Sequence, residues 1–251
     1  RLVEFFRGNR VTMMKKFFLF SLLFISGHVL AQEGSVIYVT NEDSNNVTVI
    51  SGTTNEVIAT IPVGKRPRGI KVSPDGNTFY VALSGSPKCP PTMDDEVCDA
   101  MISDKAADGI AEVNAVTHEV VRILPSGSDP EQFDVNWNTR RLYVSNEDIH
   151  MASILDLDAG EILMQVRTGL EPEGVRLSPD GSIVYVTGEV DSDITVIDTQ
   201  SGDVIASIDV GLRPRDSIFT ADGTLSYVSA EFGANIAVID VASNALVSEI
   251  P

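Results

Sequence analysis

Residues 174–211 read "GVRLSPDGSIVYVTGEVDSDITVIDTQSGDVIASIDVG". Four short runs stand out: "GVRLS", "IVYVTG", "ITVID" and "VIASIDVG". Each is rich in β-branched residues, and the Asp-Gly and Ser-Gly pairs between them supply the turns a chain of hairpins needs. After the fourth run comes "LRP", and then a new run of the first kind begins.

The unit recurs. All five tyrosines occupy one slot, in "IYVTN" (Tyr38), "FYVAL" (Tyr80), "LYVSN" (Tyr143), "VYVTG" (Tyr185) and "SYVSA" (Tyr227), spaced by 42, 63, 42 and 42 residues. Pro67, Pro130, Pro172 and Pro214 repeat the same arithmetic. The long interval is one 42-residue unit plus an insertion of 21 residues, which falls within 84–109. A third slot holds Ser51, Asn114, Asp156, Asp198 and Asp240, short polar side chains suited to bonding their own turn backbone. Four short strands per unit of this length are the signature of a β-propeller blade, so the expected fold is all-β. The "DLDAGE" run (Asp156–Glu161) resembles a sparse calcium loop, but its alignment with "DTQSGD" and "DVASNA" makes it an ordinary blade turn.

The ends read differently. Residues 1–12 precede Met13 and Met14 and are set aside as upstream read-through. Residues 13–31 carry Lys15 and Lys16, an apolar core from Phe17, and Val29 and Ala31 at the −3 and −1 positions of a cleavage site: a secretory signal peptide. The apolar core is shorter than the ~20 residues of a membrane span. A soluble periplasmic or secreted protein, cleaved near Ala31, is therefore expected, with residues 32–251 forming the propeller. Cys89 and Cys98, both inside the insertion of an exported chain, are expected to close a short disulfide loop. The first unit begins at its second strand and the last stops at "SEIP", so an incomplete ring of about five blades with uncovered apolar ends is expected. The net charge of −18 argues against nucleic acid and anionic lipid as partners and favours cationic ones.

The stretch "YVTNEDSNNVTVISGTTNEVIATIPVGKRPRGIKVSPDGNTFYVA" closely resembles the YVTN family of β-propeller repeat proteins. "IPVGKRPRGI", "SGSDPEQF", "LYVSNED", "GLEPEGV" and "FTADG" resemble its exported branch, associated with pyrroloquinoline-quinone-dependent alcohol catabolism. The resemblance covers residues 35–251 and implies a seven-bladed ring. It also implies a periplasmic binding or scaffold protein whose ligand the family does not define. The cysteine-bearing insertion departs from the simplest repeat.

Strands of a blade run alternately up and down, so the loops between second and third strands open on the same face as the proline loops. That face collects residues 41–46, the insertion, and residues 146–151, 188–193 and 230–235, and is the expected functional face. The prolines themselves are backbone devices opening the innermost strand. Their flanks are charged: Arg66 and Arg68, Asp129 and Glu131, Glu171 and Glu173, Arg213 and Arg215. These eight are the candidate ligand-binding residues, a rim running basic, acidic, acidic, basic. The alternative is that each arginine pairs with a carboxylate of a neighbouring blade. "GKRPRG" (64–69) is not a phosphate loop, because it lacks the G-x-x-x-x-G-K-[ST] spacing and leads into a strand.

The sequence brings together no nucleophile with a base, no haem motif and no paired zinc motif, so no catalytic residue, metal or cofactor is expected. A non-catalytic binding module for a small molecule or a periplasmic protein, such as a quinoprotein dehydrogenase or a cytochrome, fits best. The alternative is a lactonase-type hydrolase with a channel metal, for which the triplets Asn41–Asp43 and Asn146–Asp148 are the candidates.

Overall fold

The computed structural model describes residues 34–251, apart from 90, 91, 95, 98 and 99. The upstream segment, the signal peptide and Cys98, and with it the Cys89–Cys98 pairing, lie outside the described residues.

Among the described residues the chain forms five antiparallel sheets, each built from consecutive hairpins. The first has three strands, β1 (Val36–Asn41), β2 (Asn46–Ser51) and β3 (Val57–Pro62). The second contains β4 (Pro67–Val72), β5 (Thr78–Leu83), β6 (Gly109–Asn114) and β7 (Val120–Leu124). The third contains β8 (Pro130–Asn136), β9 (Arg141–Asn146), β10 (Met151–Asp156) and β11 (Glu161–Arg167). The fourth contains β12 (Pro172–Leu177), β13 (Ile183–Gly188), β14 (Asp193–Asp198) and β15 (Val204–Asp209). The fifth contains β16 (Pro214–Phe219), β17 (Leu225–Ala230), β18 (Asn235–Asp240) and β19 (Ala245–Ile250). The first strands β4, β8, β12 and β16 lie side by side, with β1 beside β4. This is an incomplete β-propeller of about five blades. No helix among the described residues is long and apolar enough to cross a membrane.

Burial explains the strand chemistry. A middle strand such as β13 is covered on both faces, because each blade is sandwiched between its neighbours, and "VYVT" is buried throughout. An outer strand such as β15 is exposed at most positions and tolerates "VIASID" with only Ile208 buried. The tyrosine slot joins one blade to the next. Tyr38 packs on Phe79 at 4.7 Å between centroids, Tyr185 on Phe219 at 4.7 Å, and Tyr143 beside Val175 and Val184. Trp137, a turn residue, lies 6.0 Å from the Tyr80 ring and packs against the same core. Apolar side chains are exposed at both ends of the series, among them Ile37 on β1 and Val247 on β19.

The polar slot holds the turns on the opposite face. Asp156 Oδ1 accepts from the amides of Asp158 and Ala159 at 2.9 and 2.8 Å, Asp198 Oδ1 from Gln200 and Ser201 at 3.0 and 2.8 Å, and Asn114 Oδ1 from Val116 and Thr117 at 2.8 Å each. These side-chain oxygens are spent on their own turns.

Candidate functional site

The geometry of the proline loops is repeated and strained. The residue before each proline has positive φ: Arg66 (38°), Asp129 (53°), Glu171 (50°) and Arg213 (58°). Side chains other than glycine avoid this region, and a residue before proline is ordinarily extended, so each position costs about 1–3 kcal/mol. A backbone bond holds it there: the amides of Ser84, Glu147, Glu189 and Glu231 donate to the carbonyls of Arg66, Asp129, Glu171 and Arg213 at 3.4, 3.0, 3.0 and 2.9 Å. After the proline, the ladder to the second strand loses register in all four blades, at Pro67/Ile70, Pro130/Phe133, Pro172/Val175 and Pro214/Asp216. Such irregularities re-aim side chains. Gly174 lets the neighbouring innermost strand come close, since a Cβ there would lie 2.5 Å from the Arg215 carbonyl oxygen.

The consequence is a common cavity of about 1200 Å³ on the loop face. Seven of the eight rim candidates line it: Arg66, Arg68, Asp129, Glu171, Glu173, Arg213 and Arg215. Glu131 lies beneath the lining, fully buried. The cavity also has an apolar side, which sequence reading missed. Val190, Leu212 and Phe232 line it while remaining 54%, 60% and 63% exposed.

The arginines are occupied by carboxylates, mostly across blade boundaries. Arg68 pairs with Glu131 of the next blade, and lies 3.6 Å from Glu42 and 3.9 Å from Glu147. Arg215 reaches back to Glu173 at 2.7 Å and to Glu189, while Arg213 meets Glu189 at 2.5 Å and Glu231 at 3.4 Å. Arg213 also sits over the Phe232 ring, 4.9 Å from its centroid, a cation–π arrangement. Arg66 is an anchor for the insertion: it meets Glu42 at 3.2 Å and donates to the carbonyls of Ser86 and Pro87 at 2.5 and 3.0 Å. The pairs made by Glu131 and Glu173 are shielded, unlike the solvated pairs of the simplest inter-blade alternative, with these side chains 1% and 9% exposed; Glu231 is half exposed.

The partners Glu42, Glu147, Glu189 and Glu231 form a periodic slot of their own, directly after the second strand, occupied in the second blade by Ser84. The same 42-residue spacing that exposes the prolines exposes these glutamates. Their asparagine neighbours are structural: Asn146 is fully buried and donates to Ser153 Oγ at 2.8 Å, and Asn41 donates to Thr48 Oγ1 at 2.8 Å. Each fastens its own hairpin, so the Asn-Glu-Asp triplets do not act as units. His150 is likewise engaged, its Nδ1 accepting from the Glu171 amide at 3.3 Å.

Burial and charge divide the carboxylates. Burial pushes the Glu131 carboxyl well above its usual range; Arg68 opposes this, and Glu147 and Glu173 add to it. Burial raises Glu173 to about 7 against the pull of Arg215 and Arg68, with Glu189 and Glu147 contributing. Glu171 is raised by burial and by Glu147 and Glu189. Burial also opposes the charge on Glu42, but Arg68, Arg66 and Lys88 outweigh it and hold that carboxyl low. The mouth thus has more acid than its arginines neutralise.

The Ser86 hydroxyl accepts from Lys105 Nζ at 2.5 Å and donates to Asp148 Oδ2 at 3.2 Å. Lys105 is taken up by an ion pair with Asp148. This arrangement orders the insertion against the third blade.

No known family profile matches the chain, and no curated protein does. Solved structures do match. Hydrazine synthase from Kuenenia stuttgartiensis superposes with a TM-score of 0.68 at 20% identity, covering 86% of this chain and 71% of that one. A functionally unknown protein from Desulfotomaculum acetoxidans gives 0.68 at 14% identity, covering 86% of this chain and 66% of that one. The shared feature is the propeller. At these identities the likeness concerns the fold alone.

Proposed function

We propose that the protein is a non-catalytic binding module that takes a small amphipathic molecule in the loop-face cavity. The observation that carries this reading is the apposition of exposed Val190, Leu212 and Phe232 with a half-buried network of carboxylates and arginines in one concavity of about 1200 Å³. Apolar walls with a few convergent polar groups are the ordinary make-up of small-molecule sites. Because the arginines already face carboxylates, the polar end of the ligand is neutral or cationic, rather than the anion an all-arginine rim would select. The leader-like residues 13–31 and the YVTN resemblance support a periplasmic accessory in quinoprotein-linked catabolism. Under that reading the exported protein begins at Gln32, which N-terminal mass spectrometry checks.

The test is a thermal-shift screen against short alcohols, aldehydes, lactones, quinones and amines, run on wild type and Phe232→Ala. A saturable shift that Phe232→Ala abolishes supports the cavity. Shifts that the variant retains, or none at all, refute it. Salt-sensitive capture of a quinoprotein dehydrogenase or cytochrome with no small-molecule shift would instead assign the face to a protein partner.

A further inference from the structure

Charge is least balanced at one corner of the mouth. Asp129 in the loop before β8, Glu131 in β8 and Glu147 in the turn after β9 each bring one carboxylate oxygen to within 4.8 Å of the others. The two loops are clamped together, because the Glu147 amide donates to the Asp129 carbonyl at 3.0 Å. The Arg68 guanidinium pairs with Glu131 through Oε1 and lies 3.9 Å from Glu147. Glu131 is fully buried, and its other oxygen, Oε2, has no hydrogen-bond donor among the described residues. A buried carboxylate oxygen without a donor is costly, so its surroundings call for a further positive charge.

We propose that Asp129, Glu131 and Glu147 form a site for a divalent cation of calcium size, reached from the cavity past Glu147. Oxygens that lie within 4.8 Å of one another can share a single divalent cation. Three carboxylates from a loop, a strand and a turn impose no regular octahedron, which suits calcium, with its adaptable coordination at about 2.3–2.6 Å, better than magnesium, which demands near-ideal octahedral geometry at ~2.0–2.1 Å. An all-oxygen set of hard donors selects the same class of ion and disfavours copper or zinc. The outer contacts suit the role: the Ser84 hydroxyl donates to Asp129 Oδ1 and fixes the orientation of that carboxylate. Remaining coordination positions face the cavity, where water or a polar ligand group completes the sphere. The inference names an occupant for the cavity of the preceding section and rests on that reading only for access.

The test is calorimetric titration of chelator-treated, full-length exported protein with calcium chloride, and separately with magnesium chloride, with no organic compound present. The expected result is one equivalent of calcium with a Kd of about 10⁻⁴ M, in the range of extracellular modules, and much weaker uptake of magnesium. Glu131→Gln and Glu147→Gln remove measurable uptake. Arg68→Gln, which takes away a competing charge about 4 Å from a ligand, strengthens it about tenfold. Glu147 is partly exposed, so its variant carries the test even where Glu131→Gln fails to fold. No saturable uptake, uptake that Glu147→Gln leaves unchanged, as diffuse counter-ions on an acidic surface would give, or equal uptake of magnesium each overturns the proposal. A negative calcium result leaves the small-molecule reading to the Phe232→Ala screen, and a positive one does not rescue that reading if the screen fails.

Discussion

Replacing Glu173 by glutamine separates burial from ion pairing at the mouth. The Glu173 side chain is 9% exposed and meets Arg215 at 2.7 Å, yet its carboxyl is raised from 4.5 to about 7, because burial outweighs the arginines. A carboxyl raised in the folded state contributes stability that is complete below the unfolded value and is lost as pH rises through the folded one. The window is therefore about pH 4.5 to 7. A shift of about 2.5 units at about 1.36 kcal/mol each makes the loss about 3 kcal/mol. Glutamine does not titrate, so the wild-type-minus-variant stability difference should fall by that amount between pH 4.5 and 8, while contributions from all other groups largely cancel. For a domain of this size that corresponds to roughly 6–12 °C in relative Tm. Urea titrations and calorimetric melts of both proteins at half-unit pH steps provide the measurement. Parallel curves would refute the burial argument. Wild type gaining on the variant as pH rises would show that the Arg215 pair dominates.

Tyr185 Oη is buried without a partner among the described residues, so Tyr185→Phe should be neutral or stabilising by up to about 1 kcal/mol, whereas Tyr185→Ala, which empties the contact with Phe219, should cost about 3–5 kcal/mol in urea denaturation. Asn146→Ala removes the donor to Ser153 inside the third blade and should cost about 1–3 kcal/mol by the same measurement. Phe232→Ala should leave the melting curve within about 0.5 kcal/mol of wild type, because the ring is largely exposed, so a loss of ligand shift in that variant reports on binding. Arg66→Ala should free the insertion, seen as faster limited proteolysis between residues 84 and 109 with the blades still protected.

The blades were legible because their determinants are local and periodic: the tyrosines, the turn-capping aspartates and the prolines each repeat at one spacing, and each acts within a unit or on its neighbour. The rim residues were legible as positions but not as chemistry. That Arg66 holds the insertion, or that Glu131 and Glu173 are buried beneath arginines, depends on distances between blades, which no single unit encodes. The glutamates at 42, 147, 189 and 231 carried a periodic signal, but in the sequence they look like solvated loop acids. Phe232 and Val190 carried only the fact of standing in loops on the expected face. The positive φ before proline runs against the residue's ordinary preference, and it arises from a backbone bond that residue types do not announce.

That bond has an evolutionary consequence. Where the amides of Ser84, Glu147, Glu189 and Glu231 donate to the carbonyl of the strained residue, main-chain atoms set the conformation, so the side chain is not asked to maintain the loop. Arginine, aspartate, glutamate and arginine occupy the same geometry at 66, 129, 171 and 213. Single codon changes at these four places can therefore alter what the mouth selects while the barrel of blades stays as it is. Gene copies of such a chain could diverge in specificity without first having to evolve a new scaffold.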